Sequence, residues 1–159
     1  MEYEQPMIKV LAGRMEAERL FLATAESCTG GLISHLLTNE PGSSRWYAGG
    51  VVAYSNHLKT SILGVDQELL NGFGAVSSQC VEAMVRGVIS LTSAQAGIAV
   101  SGIAGPGGGT LEKPVGTVYM AWGLLERIRW KRFVFQGQRL QIKEQASAAA
   151  IQGLLDFWD

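Results

Sequence analysis

The 159-residue chain is poor in charged side chains, and this shortage argues against a polyanion as its partner. Asp, Glu, Lys and Arg make up 17% of the residues, against about 25% in an average soluble protein. The 13 basic residues nearly balance the 14 acidic ones, so the formal net charge is −1. Non-specific binding of nucleic acid needs clustered positive charge, and we therefore expect no nucleic-acid partner.

Cysteine and histidine are also scarce, which makes a metal site unexpected. The two cysteines, Cys28 and Cys80, and the two histidines, His35 and His57, have no metal-binding spacing, so we expect no metal and no cofactor. Two thiols in a chain without an export signal favour the reducing cytoplasm over a disulfide framework. No apolar run approaches the ~18 residues of a membrane span, so we expect no membrane association.

Glycine, in contrast, is abundant. The 20 glycines are nearly twice the usual share of about 7%, which indicates functional loops, since the low charge argues against disorder. No linker, repeat or break in composition divides the chain. We therefore expect one domain over residues 1–159, in which 47% hydrophobic residues suffice for a core.

Short apolar runs alternate with helical patterns along most of the chain. Ser77 is a candidate N-cap, because apolar residues recur after it with a period of 3.6. Other helices are predicted at 4–18, from residue 32, at 57–63 and at 140–158, and strands at 20–23, 49–54, 97–100, 115–124 and 128–135. This alternation predicts an α/β fold, a three-layer α/β/α sandwich around a mixed, mostly parallel sheet, with a late antiparallel hairpin.

Ligands of such sheets collect at the carboxyl ends of the strands, so the loops there are candidate sites. In the first loop, Ser27, Thr29, Gly30 and Gly31 precede a helix, whose free N–H groups can hold an oxyanion or a phosphate. These residues also have a plainer interpretation, in which a hydroxyl caps the helix and the glycines permit close packing.

Two further loops carry candidate residues. One brings Tyr54 and Lys59 just past a strand, although a lone lysine there is more typical of a solvated helix. The other, 101–109, matches neither the phosphate-binding Walker A order nor the dinucleotide fingerprint. Its successive glycines could form a nest of inward N–H groups for an anion, or simply a flexible lid.

Five segments of this chain occur in an order that is familiar from a known family: AESCTGG at 25–31, GGVVAYSN at 49–56 with Lys59, GAVS at 74–77, SGIAGP at 101–106 and KPVGTVY at 113–119. Together they resemble the CinA C-terminal domain family, the nicotinamide-nucleotide amidases of the PncC type, over about residues 7–156. Many relatives carry an additional N-terminal domain similar to molybdopterin-binding proteins. We expect this chain to be the stand-alone form and to assemble as a homo-oligomer.

The resemblance implies hydrolysis of nicotinamide mononucleotide to nicotinate mononucleotide and ammonia, in pyridine-nucleotide salvage. Amide hydrolysis without a metal requires a nucleophile, a base and donors for the oxyanion. Ser27 with Lys59 would supply the first two, through an acyl-enzyme, and Tyr54 would orient them or relay a proton. Lys59 can act as a base only when it is neutral, so the fold must desolvate it or place another cation nearby.

The same resemblance implies how the substrate phosphate is held. Arg139 follows a glycine as in the family, and a guanidinium can grip a phosphate with two donors. An exposed arginine in the first turn of a helix is the plainer alternative. The family commonly has threonine in place of Ser101 and arginine in place of Lys143. The residues assigned to substrate binding are Thr29, Gly30, Gly31, Ser101, Gly102, Gly105 and Arg139.

Two other functions remain open. A catalytically idle nucleotide-binding or regulatory paralogue could keep the glycine loops, but binding alone would not require Ser27, Tyr54 and Lys59 together. A cysteine enzyme could use Cys28, because a thiol at a helix start can have a lowered pKa. Its motif contains no histidine or resolving cysteine, the usual partners in such sites.

Overall fold

The computed structural model describes residues 4–158, which form one five-stranded sheet with helices on both faces. The elements are α1 (Gln5–Ala17), β1 (Leu22–Glu26), α2 (Leu32–Thr38), a 3-10 turn (Ser43–Arg45), β2 (Tyr47–Val52), α3 (Asn56–Ser61), α4 (Gln67–Phe73), α5 (Ser78–Thr92), β3 (Ala96–Gly102), β4 (Thr117–Leu124), β5 (Arg127–Val134) and α6 (Arg139–Asp156). The strands lie in the order β2-β1-β3-β4-β5; β1 pairs parallel with β2 and β3, whereas β4 is antiparallel to β3 and β5. Four strands therefore run in one direction, which confirms the predicted sheet and hairpin.

Alternate side chains of the central strands enter two separate cores, as the pleat of a strand requires. Leu22 of β1 and Ile98 of β3 belong to the core beneath α1, α2 and α6. Ala23 and Ala99, the next residues along, belong to the core beneath α5. The three-layer α/β/α sandwich is thereby confirmed, and none of the helices within residues 4–158 is long and apolar enough to cross a membrane.

Boundaries and one helix differ from the sequence-based expectation. The first strand is shifted from 20–23 to Leu22–Glu26, because its polar residues are buried together with the apolar ones. Helix α4 was not predicted; Asp66 caps it by accepting the N–H of Glu68. The predicted N-cap of α5 is confirmed, since Ser77 Oγ accepts the N–H of Cys80 at 3.1 Å.

Candidate active site

A cavity of about 370 Å³ lies at the carboxyl ends of β1, β2 and β3, a size within the range typical of small-ligand sites. Loops from three strands and the first turn of α6 line it. The lining consists of Ser27, Cys28, Tyr54, Asn56, Lys59, Ala75, Val76, Ser101, Gly102, Ile103, Ala104, Gly105, Gly107, Gly108 and Arg139. The structure thus brings together seven of the ten residues that sequence assigned to the site.

Ser27 and Lys59 form a hydrogen-bonded pair inside this cavity. Lys59 Nζ donates to Ser27 Oγ at 3.0 Å and to the carbonyl oxygens of Ala53 and Tyr54 at 2.9 and 3.3 Å. The residue is only 1% exposed, which rules out the solvated lysine of the plainer interpretation. Ser55 caps α3 by accepting the N–H of Leu58, and the helix then directs Lys59 back towards the end of β1.

The surroundings of Lys59 weaken its charged form. Burial lowers its pKa from the ordinary value of 10.5, because desolvation penalises the charged form. A neutral amine has two N–H donors and one lone pair. When Lys59 is neutral, the carbonyls of Ala53 and Tyr54 can accept both of its donors, and the Ser27 hydroxyl can then donate to the Nζ lone pair in place of accepting from it. The arrangement can therefore remove a proton from Ser27.

The backbone on either side of Ser27 is held by the neighbouring strands. The Ser27 N–H donates to the carbonyl of Val100 at 3.0 Å, and the carbonyl of Glu26 accepts the N–H of Ala53 at 2.9 Å. Parallel pairing of β1 with β2 and β3 thus continues to the nucleophile. This continuation fixes where the Ser27 side chain leaves the sheet.

The start of α2 is occupied by a buried carboxylate. Glu26, which is 1% exposed, accepts the N–H groups of Ile33 and Ser34 at 2.9 and 3.0 Å. It also accepts the hydroxyls of Thr29 and Ser34 at 2.7 and 2.8 Å. These donors are the ones that a helix N-terminus would otherwise offer to a ligand anion. The sequence signal that could have revealed Glu26 was an acidic residue at the end of a buried strand, just before the loop that leads to a helix.

Three of the predicted binding residues do not line the cavity. Thr29 donates its hydroxyl to Glu26, and Gly30 donates its N–H to the carbonyl of Ser27 at 3.0 Å. Gly31 is the N-cap of α2 with a φ of 98°, and N–H groups in the first turn of the helix are accepted by the Glu26 carboxylate and by no hydroxyl. The alternative in which Ser27 or Thr29 caps this helix is therefore wrong. Substrate binding by Thr29, Gly30 and Gly31 stays a prediction.

Arg139 links two sides of the cavity mouth. Its Nη1 donates to the carbonyl of Gly105 at 2.6 Å and its Nη2 donates to Tyr54 Oη at 3.0 Å. The side chain is in the first turn of α6 and exposed, yet it has defined partners. Lys143, one turn later, points to the first loop, because a Cβ on Gly30 would lie 3.5 Å from its Nζ. Two cations of α6 therefore lie near the same opening.

Cys28 lines the cavity but does not have the properties of a nucleophile. Burial raises the pKa of its thiol to about 12, so the predicted lowering at a helix start is wrong. The cause is desolvation, which outweighs the backbone hydrogen bond at Cys28 and the positive charges of Lys59 and Lys143. Within residues 4–158 there is no group of three or more His, Cys, Asp or Glu side chains placed to hold a metal ion.

Some functional features were not identified from sequence. The carbonyls of Ala53 and Tyr54 contact Lys59 through the backbone, which residue types do not reveal. Ala75 and Val76 form a wall of the cavity, and only the family resemblance points to their segment, 74–77, in the sequence. Asn56, the first residue of α3, lines the cavity as well.

Comparison with known proteins places the chain in one family. A family model described as "CinA C-terminal domain" matches residues 4–158. The chain is 50% identical over 136 residues to the nicotinamide-nucleotide amidohydrolase PncC of Pseudomonas putida, a match that covers 86% of this chain and 85% of that protein. It is 46% identical over 152 residues to a CinA-like protein of Thermotoga neapolitana, covering 95% of this chain and 37% of that protein. The chain thus spans about a third of the length of its CinA-like relatives.

Solved structures of similar proteins support the same family assignment. The competence damage-inducible protein A of Klebsiella pneumoniae superposes with a TM-score of 0.92 at 36% identity, over 97% of this chain and 98% of that one. A CinA superfamily protein of Enterobacter cloacae gives a TM-score of 0.93 at 37% identity, over 96% of this chain and 90% of that one. On the family match, the shared sequence and the shared fold, the chain belongs to the CinA C-terminal domain family.

Proposed function

We propose that this chain is a nicotinamide-nucleotide amidohydrolase, which converts nicotinamide mononucleotide and water to nicotinate mononucleotide and ammonia. The observation that carries the proposal is the buried hydrogen bond between Lys59 Nζ and Ser27 Oγ at 3.0 Å, facing a cavity. It is supported by 50% identity to a relative that bears this activity in its name. The reaction would serve pyridine-nucleotide salvage in the cytoplasm.

The acylation step uses both members of the pair. Neutral Lys59 takes the hydroxyl proton while Ser27 Oγ attacks the carboxamide carbon, and a tetrahedral oxyanion forms. When the C–N bond breaks, the lysine ammonium returns the proton to the leaving nitrogen, so ammonia departs. The nicotinoyl group is then an ester of Ser27.

The deacylation step repeats this chemistry with water. Lys59 takes a proton from water, the hydroxide attacks the ester carbon, and Ser27 leaves as its hydroxyl after receiving that proton. The product leaves as the carboxylate of nicotinate mononucleotide, after its new carboxylic acid has released a proton to solvent. No step in either half needs a metal or a redox group.

The oxyanion needs donors that are free and close to Ser27. In strand-to-helix turns that carry a nucleophile, the N–H of the following residue commonly serves. The N–H of Cys28 makes no hydrogen bond to another residue within residues 4–158. It is adjacent to the attacking oxygen, and Cys28 lines the cavity. We assign this N–H as one oxyanion donor.

The phosphate would bind at the mouth of the cavity. Arg139 uses two of its five N–H donors for Gly105 and Tyr54, and the remaining ones are available to a phosphate oxygen. The glycine-rich segment beside it contributes Ser101, Gly102 and Gly105 to the lining of the cavity. Lys143 adds a second positive charge nearby.

The decisive experiment is an ammonia-release assay on the purified full chain with nicotinamide mononucleotide. We expect ammonia and nicotinate mononucleotide in equal amounts, and no release by the Ser27→Ala variant. Free nicotinamide serves as the control for phosphate recognition. Binding of the nucleotide without ammonia release would favour the idle nucleotide-binding paralogue instead.

A further inference from the structure

Lys113 lies outside the reacting pair but joins two walls of the same cavity. Its Nζ donates to the carbonyl of Val76 at 2.5 Å and makes a longer contact to the carbonyl of Phe73 at 3.5 Å. Val76 belongs to one wall, and the glycine-rich segment that precedes Lys113 forms another. The Lys113 side chain therefore connects the segment between α4 and α5 to the segment that returns from the glycine-rich loop.

The returning segment in turn supports the glycine-rich wall. Gly105 and Gly109 approach Val115 so closely that a Cβ on either would collide with it. The carbonyl of Gly105 is also the acceptor for Arg139. A shift of the segment that contains Lys113 and Val115 would thus be transmitted to Gly105 and from there to Arg139.

Local contacts make this segment a defined turn. The Thr110 N–H donates to the carbonyl of Lys113 at 2.8 Å, and the Lys113 N–H donates to Thr110 Oγ1 at 3.0 Å. Arg132 of β5 holds the turn from the other side by donating to the carbonyl of Glu112 at 2.6 Å. Both cations contact the ring of Tyr119, whose centroid is 6.0 Å from Lys113 Nζ and 5.8 Å from Arg132 Cζ.

We propose that Lys113 is a positioning residue that sets the separation between the Val76 wall and the glycine-rich wall, and with it the fit of the substrate. An ammonium suits this task because it offers several donors on a flexible stem to two carbonyl oxygens. Without it, the carbonyls of Val76 and Phe73 lose this donor and the two walls lose this link. The substrate part of this inference rests on the proposed amidohydrolase function.

The test compares Lys113→Met, which keeps the length of the side chain but removes its donors, with Lys113→Arg, which keeps donors. Lys131→Met is the matched control, because Lys131 is an exposed cation on β5 that does not line the cavity. We expect Lys113→Met to raise KM for nicotinamide mononucleotide about tenfold, as loss of a hydrogen bond to a charged group predicts, with a much smaller change in kcat. Lys113→Arg should restore most of the affinity, and Lys131→Met should match the wild type.

A second readout does not depend on turnover. In the unliganded protein, thermolysin should cleave between residues 102 and 116 several-fold faster in Lys113→Met than in the wild type or in Lys131→Met. If the wild type released no ammonia, the proposed function would fail. The cleavage rate alone would then test whether Lys113 holds the Val76 wall and the glycine-rich wall together. Unchanged KM and unchanged cleavage in Lys113→Met would overturn the inference. So would a loss of kcat and melting temperature at unchanged KM, because that pattern belongs to a merely structural residue.

Discussion

Lys59 Nζ lies 3.0 Å from Ser27 Oγ, although 32 positions separate the two residues along the chain. Parallel pairing explains the approach, because Glu26 at the end of β1 is in register with Val52 at the end of β2. The chain therefore leaves both strands at the same edge of the sheet. Helix α3 begins at Asn56, and its first turn carries Lys59 back over the end of β1.

The first prediction concerns the nucleophile. Ser27→Ala should lower kcat by several orders of magnitude, as loss of a covalent nucleophile does in other hydrolases. Cys28→Ala should keep most of the activity, because burial holds the Cys28 thiol protonated with a pKa of about 12. Ammonia release by both purified, folded variants is the measurement. An inactive Cys28→Ala beside an active Ser27→Ala would reverse the assignment.

The second prediction is a dependence of activity on pH. Burial lowers the pKa of Lys59 from 10.5, and only the neutral amine can take the proton of Ser27. We expect kcat/KM to rise about tenfold per pH unit below the lowered pKa and to level off above it. The midpoint should lie below 10.5. A profile that is flat over this range would contradict Lys59 as the base.

The same group should leave a signature in stability. Between the lowered pKa of folded Lys59 and the 10.5 of an exposed lysine, the unfolded chain holds a proton that the folded protein has released. The free energy of unfolding should therefore rise with pH across this window. At pH values below the window, the folded protein bears the full cost of burying the Lys59 ammonium. Urea unfolding at several pH values should show this rise in the wild type. Lys59→Met should lack it, and an equal slope in both proteins would contradict the prediction.

Much of the fold could be predicted because its signals are local. The period of 3.6 after Ser77 and the apolar run at 97–100 specify α5 and β3 without reference to the rest of the chain. The buried polar residues of β1 could not be predicted in this way. The Thr24 hydroxyl can be buried because it forms hydrogen bonds with Tyr47 Oη at 2.7 Å and Ser34 Oγ at 3.0 Å. Both partners belong to other elements of the fold.

The same distinction applies to the site. Ser27, Tyr54, Lys59 and Arg139 could be named from sequence because the family resemblance includes their segments. The role of Glu26 could not, since only the fold brings the start of α2 to its carboxylate. The contact of Arg139 with Tyr54 likewise spans 85 positions and depends on the packing of α6 beside the sheet edge.

The third prediction tests Glu26 as the acceptor for α2. Both carboxylate oxygens accept donors, so Glu26→Gln must place an amide N–H2 against an N–H or hydroxyl donor. We expect the free energy of unfolding to fall by about 1–3 kcal/mol, the cost of a buried unsatisfied group. Urea denaturation measures this loss, with Glu126→Gln on the exposed turn between β4 and β5 as the control. Equal stability of the two variants would show that Glu26 is not needed to hold α2.

The fourth prediction concerns metal independence. The Ser27 and Lys59 pair needs no divalent ion, and the sequence offers no ligand set at a metal-binding spacing. Ammonia release should therefore survive dialysis against a chelator. Loss of activity that returns on addition of a divalent ion would replace the Ser-Lys scheme with a metal-activated water.

The last prediction separates the role of Arg139 from that of Tyr54, which Arg139 contacts at 3.0 Å. If Arg139 holds the phosphate in both ground and transition states, Arg139→Ala should raise KM for nicotinamide mononucleotide about tenfold or more and change kcat less. Nicotinamide riboside, which lacks the phosphate, should be a poor substrate of the wild type, and Arg139→Ala should discriminate less between riboside and nucleotide. Tyr54→Phe is the matched control, because it removes the hydroxyl that Arg139 contacts and keeps the guanidinium. If Tyr54 relays a proton, Tyr54→Phe should lower kcat equally on both substrates. The same pattern in Arg139→Ala would place Arg139 at the reacting centre.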